Sequence, residues 1–318
     1  MPPWGRIGVA AILGCLLATA GIWWAYRSDL NSIRQRLASE AQVLETPFGT
    51  VEYSRWGSGP PALFIHGAGG GWDQGKLIAE HFIGEGFAWI SVSRFGYLGA
   101  PLPEDASTAA QADTLAALLD HLGLERIAVL GVSGGVPPAI QLGARHPERV
   151  SALVLLASAP FTPLTAETQD LPMPAWAYQA LFSTDFPYWA LTKLAPGALG
   201  GIFDARSELV ADLSENDSAF LERMIDAFLP VTARVAGTAN EGAAIDPMVP
   251  HPTEKIGAPT LVVHARDDGI NPFPIAEYAQ RTIPGAKLLA LDTGGHMMLG
   301  RTEEVRDMVR AFLERNAP

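Results

Sequence analysis

The stretch that most limits how this chain can fold is Ile127-Ala-Val-Leu-Gly-Val-Ser-Gly-Gly-Val136. A short apolar run reads as a buried strand and passes straight into Gly131-Val132-Ser133-Gly134-Gly135. A helix-compatible segment from Pro137 to Arg145 follows. A serine in so sharp a strand-to-helix turn is crowded, and glycine two residues to either side relieves that crowding. The G-x-S-x-G pattern in this context projects a hydroxyl from the end of a sheet. Ser133 is therefore the candidate nucleophile.

Around this turn, short apolar strands alternate with helical segments. A β segment begins near Leu44, and strands are predicted over Thr50–Trp56, Ala62–Ile65, Phe87–Ser93, Ala152–Ala157, Pro259–Ala265 and Lys287–Leu291. Helical pattern covers Gly75–Gly84, Thr108–Leu122, Pro274–Thr282 and Glu303–Glu314. Alternation at this spacing implies right-handed crossovers and an α/β fold, with a mostly parallel sheet flanked by helices. With 48% hydrophobic residues the chain can fill the core that such a sheet needs. The alternation breaks over residues 161–250, which are rich in Pro, Trp, Tyr and Phe and carry helical pieces but no strand pattern. That segment is predicted to be a helical cap inserted after the sixth strand. The core is then residues 44–160 and 251–318.

Residues 7–26 carry no charge and are bounded by Arg6 and Arg27, with Trp23, Trp24 and Tyr26 at one end. As a helix this run is roughly 30 Å long, the depth of a bilayer core, and aromatic residues favour its interface. Residues 1–28 are accordingly expected to be a transmembrane anchor, and 29–43 a linker helix. The lipid bilayer is then a partner through residues 7–26, and the location a single-pass membrane protein. Ala18-Thr19-Ala20 resembles a cleavage site, so a signal peptide and export are the alternative. The side of the membrane stays open.

A net charge of −12 without any Lys/Arg cluster argues against nucleic acid as a partner. The one cysteine, Cys15, rules out an intrachain disulfide framework and a thiol metal site. Seven histidines without ligand spacing predict no metal, and no cofactor motif is present.

Four pieces fall at the ends of predicted strands, the edge where open α/β sheets bind ligands: His66-Gly67-Ala68-Gly69-Gly70-Gly71, Ser133, Asp267-Asp268 and Gly294-Gly295-His296. A serine hydroxyl needs a base to take its proton, and the base needs a carboxylate to fix its tautomer. His296 is the base on this reading, as the only histidine after the acidic pair. His66 reads as loop support and His264 as packed, while His81, His121, His146 and His251 read as surface or helix-end residues. The Gly134 amide, directly after the serine, is an expected oxyanion donor. Three consecutive glycines after Ala68 let a backbone turn its amides inward.

With serine, acid and base in that order, the chain from about Leu44 to Glu314 resembles a serine α/β-hydrolase of the capped, single-domain type. The matching pieces are His66-Gly67, Gly131-Val-Ser-Gly-Gly135, His264-Ala-Arg-Asp-Asp-Gly-Ile-Asn-Pro272 and Gly294-Gly-His296. The resemblance implies the α/β-hydrolase fold and a triad of Ser133, Asp268 and His296. Asp268 stands four residues before Pro272, the family's relation, with Asp267 as the alternative acid. It also implies that Ala68 supplies the second oxyanion donor, with Gly69 in reserve. Gly69, Trp72 and Trp176 are candidate substrate contacts, among cap aromatics that include Tyr178, Phe182, Phe186, Tyr188 and Trp189. Ser93-Arg-Phe-Gly-Tyr97 departs from the family's Asp-Arg-x-Gly-x-Gly and reads as structural. The implied activity is carboxylesterase-like hydrolysis of a small apolar substrate through an acyl-enzyme. C–C bond hydrolysis and aminopeptidase-type amide hydrolysis are alternatives on the same triad. A membrane-tethered binding protein without catalysis is a further one.

Overall fold

Eight strands form one sheet: β1 (Gln42–Thr46), β2 (Gly49–Gly57), β3 (Pro61–Ile65), β4 (Ala88–Ser93), β5 (Ile127–Val132), β6 (Val150–Leu156), β7 (Thr260–Ala265) and β8 (Lys287–Leu291). They are seen in a computed structural model that describes residues 3–161, 174–244 and 251–316. The spatial order is β1-β2-β4-β3-β5-β6-β7-β8. β1 and β2 form a hairpin, and β2 pairs antiparallel with β4. Every pairing from β4 through to β8 is parallel. The sheet therefore has the α/β-hydrolase architecture expected from the alternation of strand and helix.

The helices are α1 (Pro3–Glu40), α2 (Trp72–Phe82), α3 (Thr108–His121), α4 (Val136–Arg145), α5 (Ala175–Phe182), α6 (Asp185–Leu194), α7 (Ser207–Val210), α8 (Glu215–Asp226), α9 (Val235–Ala244), α10 (Pro274–Thr282) and α11 (Thr302–Asn316). Strand periodicity of two sorts side chains to opposite faces. Ala62 and Phe64 of β3 join one apolar cluster with Ile78 and Phe82 of α2 and Val305 and Val309 of α11. Leu63 and Ile65 join the other with Leu115 of α3, Ile140 of α4 and Ile275 of α10. Each such fully buried side chain contributes about 1.5–3 kcal/mol.

From β3 the chain steps outward to β4, and then crosses back to β5 on the other side of β3. The helices that leave these two strands, α2 and α4, pack on opposite faces. The crevice at the carboxyl ends of β3 and β5 is thus a topological switch point. Both the glycine-rich loop after Ile65 and the serine turn after Val132 open into it. Helices α5 to α9 lie between β6 and β7 in sequence, where the cap was placed.

The N-terminal expectation requires correction. Among the described residues no helix is long and apolar enough to cross a membrane. The single-pass anchor, the bilayer partner through residues 7–26 and the membrane location are therefore unsupported. α1 is one continuous helix from Pro3 to Glu40, running across the expected division at residue 28. Its last turns dock on the cap. Leu30 and Leu37 are buried, Tyr26 packs against Phe186 and Trp189, and Trp189 Nε1 donates to Asp29 Oδ2 at 2.9 Å. Two histidines expected at the surface are also buried. His81 stacks on Phe220 and contacts Asp217, while His251 lies against Phe161.

Candidate active site

Ser133 directly follows β5 with a φ of 50°, a left-handed conformation that a non-glycine residue adopts only under constraint. The constraint is packing. A Cβ on Gly131 would stand 2.7 Å from the Gly135 carbonyl oxygen and 2.9 Å from Ala139 Cβ, and one on Gly135 would collide with the Ile65 carbonyl. Both glycines are required by close approach of backbone to backbone, which lets α4 begin directly under the serine.

The base and acid come from the loops after β8 and β7. His296 Nδ1 lies 3.0 Å from Asp268 Oδ2 and 3.2 Å from Oδ1. A carboxylate only accepts, so Nδ1 carries the proton and Nε2 is left to accept one. Burial alone would raise the Asp268 carboxyl. Burial is the largest single influence, but the electrostatic pull of His296 together with hydrogen bonds from His264, His296 and the Asn271 amide outweighs it, and the group is held well below the usual carboxylate range. Asp268 therefore keeps its charge while fully enclosed.

Asp267 points elsewhere. Its Oδ1 accepts from Gly295 N at 2.9 Å, and its Oδ2 accepts from Thr293 Oγ1 at 3.0 Å and Arg206 Nη2 at 3.2 Å. It holds the loop that carries His296, and Asp268 alone of the pair faces the imidazole.

The glycine-rich loop lies against the serine turn. A Cβ on Gly67 would stand 3.0 Å from Ser133 Cβ, and one on Gly134 would stand 3.2 Å from the Ala68 amide nitrogen. The backbone at Ala68 and Gly134 is thus brought together beside Ser133. The Gly69 N–H is engaged differently, donating to Tyr97 Oη at 3.3 Å. Fully buried His66 braces the loop: its Nδ1 donates to the Gly67 carbonyl at 2.6 Å and its Nε2 accepts from Arg94 N at 3.0 Å. Burial, reinforced by the Arg94 charge, pushes its pKa well down, so it stays neutral.

The Ser93-Arg-Phe-Gly-Tyr97 segment ties core to cap. Arg94 Nη1 donates to the Gly134 carbonyl at 2.8 Å, and Arg94 and Tyr97 both engage Glu241 of α9. Ser93 Oγ donates to buried Glu52 Oε2 at 2.6 Å. A carboxylate from β2 thereby stands behind the position where the family pattern has an aspartate.

Two cavities border these elements. The larger, about 660 Å³, lies between α1, α2, α6 and α8 and is lined by charged side chains such as Arg36, Lys76 and Lys193. A smaller one of about 220 Å³ is lined by Tyr178, Phe182, Phe228, Val231, Val235 and other cap residues. Ser133 and His296 line neither cavity, and the smaller one meets the glycine-rich loop through Phe228, which packs directly on Gly69. Trp72 is fully buried at the start of α2 and borders the larger cavity. Trp176 is 74% exposed and lines neither. Of the cap aromatics singled out from sequence, only Tyr178 and Phe182 reach the apolar cavity. Tyr188 donates to the Ile225 carbonyl, and Trp189 and Phe186 pack on α1.

Three contributors carried no sequence signal of their own. Asp204, after a 3-10 turn in the cap, accepts from Gly269 N at 2.8 Å and His296 N at 3.0 Å, from partners 65 and 92 residues away. Buried His264 donates through Nε2 to the Asn271 carbonyl at 2.9 Å and stands 3.2 Å from Asp268 Oδ2. Asn271 Nδ2 donates to the Ala157 carbonyl at 2.9 Å and faces Ser133 Oγ at 3.4 Å. Asn271 and His264 lie within the acid-loop segment, but nothing in their spacing separates them from packing residues.

Comparison with known proteins agrees with this fold. A family model described as the alpha/beta hydrolase fold matches residues 60–300. A solved structure, described as an alpha/beta hydrolase fold protein from Nakamurella multipartita, superposes with a TM-score of 0.75 at 30% identity. It covers 86% of this chain and 98% of its own. A 2-hydroxymuconate semialdehyde hydrolase of Pseudomonas putida is 28% identical over 89% of this chain and 97% of that protein. A pimeloyl-acyl-carrier-protein methyl ester esterase of Neisseria meningitidis is 29% identical over 69% of this chain and 80% of that protein. With the strand order, the serine turn and a family model spanning most of its length in agreement, the chain belongs to the alpha/beta hydrolase fold family.

Proposed function

We propose that this chain is a serine hydrolase that cleaves the carboxylic ester of a small apolar substrate through an acyl-enzyme. The observation that supports it most is the Asp268–His296 pair at 3.0 Å on one loop edge, with Asn271 reaching from the same acid loop to Ser133. In this reading Ser133 Oγ attacks the ester carbonyl carbon as its proton passes to His296 Nε2. The carbonyl oxygen takes the negative charge and is met by the Ala68 and Gly134 amides. The tetrahedral intermediate collapses, and the leaving alkoxide takes the proton from His296. Water, deprotonated by His296, then attacks the acyl carbon and releases the acid, and the proton returns to Ser133 Oγ. Asp268, ionised in its enclosure, holds the Nδ1–H and stabilises the imidazolium. The acyl group lies in the apolar cavity beneath Phe228.

Labelling with a fluorophosphonate probe tests the nucleophile. Wild type is expected to label and Ser133→Ala to lose the label, whereas equal labelling removes Ser133 from the role. C–C bond hydrolysis is the second reading, favoured by the likeness to the 2-hydroxymuconate semialdehyde hydrolase. A panel of p-nitrophenyl esters, a ring-fission dienoate and aminoacyl substrates separates the bond classes. Esters turned over fastest support the first reading, and the dienoate turned over fastest replaces it with the second.

A further inference from the structure

The acid loop does more than hold the acid. Asn271 is 1% exposed and is fixed at three points besides the serine. Its backbone N–H donates to Asp268 Oδ1 at 2.8 Å, its carbonyl accepts from His264 Nε2 at 2.9 Å, and its Nδ2 donates to the Ala157 carbonyl at 2.9 Å. A side-chain amide has two N–H donors. With one spent on Ala157, the other is left toward Ser133 Oγ at 3.4 Å.

We infer that Asn271 is a hydrogen-bond donor to the nucleophile, strengthening its contact with Ser133 Oγ as negative charge passes through that oxygen. The inference rests on the serine-hydrolase reading of the site. In the proposed mechanism the serine oxygen gives its proton to His296 Nε2 while it accepts from Asn271, so the two roles do not compete. At 3.4 Å the contact is weak in the resting enzyme, and donors to ionised oxygen sit closer, at about 2.7–2.9 Å. An interaction that is weak in the ground state and tightens with developing charge lowers a barrier rather than merely binding. Charge gathers on Oγ twice. It does so first as the proton leaves during attack on the ester, and again when Oγ is expelled from the second tetrahedral intermediate and takes its proton back from His296. One donor thereby serves both acylation and deacylation. Its rigid mounting through Asp268 and His264 keeps acid, donor and nucleophile in one unit.

The test compares wild type with Asn271→Ala and with near-isosteric Asn271→Leu, which keeps the volume filled without a donor. Rates are taken per folded molecule, with folding checked by circular dichroism. Fluorophosphonate labelling of Ser133 is expected to slow at least about 10-fold, less than the roughly 100- to 1,000-fold for a lost oxyanion donor because the resting contact is long. With p-nitrophenyl acetate, the burst rate and the steady rate are both expected to fall, with KM within about threefold. A merely structural role would lower the melting temperature and leave the labelling rate per folded molecule unchanged. Labelling within twofold of wild type in either folded variant overturns the inference and leaves the hydrolase reading intact. A wild type that the probe does not touch overturns the hydrolase reading, and the donor role with it.

Discussion

Asp204 Oδ2 accepts the backbone N–H of His296 at 3.0 Å, so a residue of the cap sets the position of the candidate base. The same oxygen accepts from Gly269, directly after Asp268, at 2.8 Å. One buried carboxylate thus holds the backbone of both loops from which the acid and base project. Asp204→Ala leaves the buried His296 N–H without its acceptor, at about 1–3 kcal/mol, and frees the partly exposed Gly269 N–H at less cost. It also lets the imidazole drift, and misplacement by about 1 Å costs on the order of 100-fold. The expected result is kcat lowered about 10- to 100-fold with KM little changed, and a smaller loss in Asp204→Asn, which retains one acceptor. Steady-state kinetics on an ester, paired with thermal melts, measures both.

Neighbouring Asp267 and Asp268 are expected to respond differently to the same change. Asn at 268 keeps the size but removes the charge that fixes Nδ1–H, for which a loss of about 10⁴ in kcat is expected. Asp267 touches Gly295, Thr293 and Arg206 but not the ring, and an amide there still accepts one of these bonds. Asp267→Asn is expected to stay within about tenfold of wild type. The kcat values of the two variants decide it, and equal losses would move the acid role away from Asp268 alone.

What could be read from sequence was local. The alternation of short apolar strands with helices gave the sheet to within a residue or two, since each strand's pattern is written in neighbouring residues. Ser133 and His296 stand out because glycine spacing and strand ends are local signals too, whereas only the family's relation to Pro272 separates Asp268 from Asp267. Asp204 could not stand out, because its two partners lie 65 and 92 residues away and no period connects them. The aromatics of the cap misled for a related reason. Composition marks Trp176 and Trp189 as apolar, but which faces the cavity, α1 or solvent depends on how separate helices meet. The N-terminal apolar run was read alone as an anchor with a linker after it. Its continuation carries Leu30, Ile33 and Leu37 at helical spacing, which the structure uses to dock α1.

Acid is expected to destabilise this protein already between about pH 6.5 and 4. An unfolded histidine takes up its proton near pH 6.5. Burial pushes His66 well below that value in the folded chain, and pushes His251 down to about 4. Between those values the unfolded state binds more protons, so stability is full above about pH 6.5 and is lost as pH falls toward 4. His251 alone contributes on the order of 3 kcal/mol to that loss. Urea midpoints between pH 7.5 and 4.5 are expected to fall steadily, and His251→Phe to flatten the curve. A midpoint independent of pH down to 5 would contradict the burial argument.

Phe228 closes the apolar cavity against the glycine-rich loop, its ring sitting where a side chain on Gly69 would go. Phe228→Ala opens the cavity toward Gly69 and the glycine-rich loop and costs about 3–5 kcal/mol of stability. Its kcat/KM ratio for p-nitrophenyl octanoate over acetate is expected to rise at least about tenfold, since each buried methylene is worth about 0.8 kcal/mol. An unchanged ratio would place the acyl group outside this cavity.

Helix α1 is expected to act as a buttress of the cap. Leu30 is 1% exposed within the cluster that holds Phe82, Trp89 and Trp189. Leu30→Ala should cost about 2–5 kcal/mol. Arg34 pairs with Asp185 at 2.8 Å, but the arginine is half exposed. Asp185 also accepts from Thr232 N and Oγ1, so Arg34→Ala is expected to cost no more than about 1 kcal/mol. Deleting residues 1–40 strips Trp189 of its Asp29 acceptor and uncovers α6, the helix whose Asp185 fixes Thr232 beside the apolar cavity. The deletion should therefore lower both the melting temperature and kcat/KM, while Leu30→Ala lowers the melting temperature and leaves kcat unchanged at 25 °C. A deletion that melts like wild type would show that α1 does not hold the cap in place.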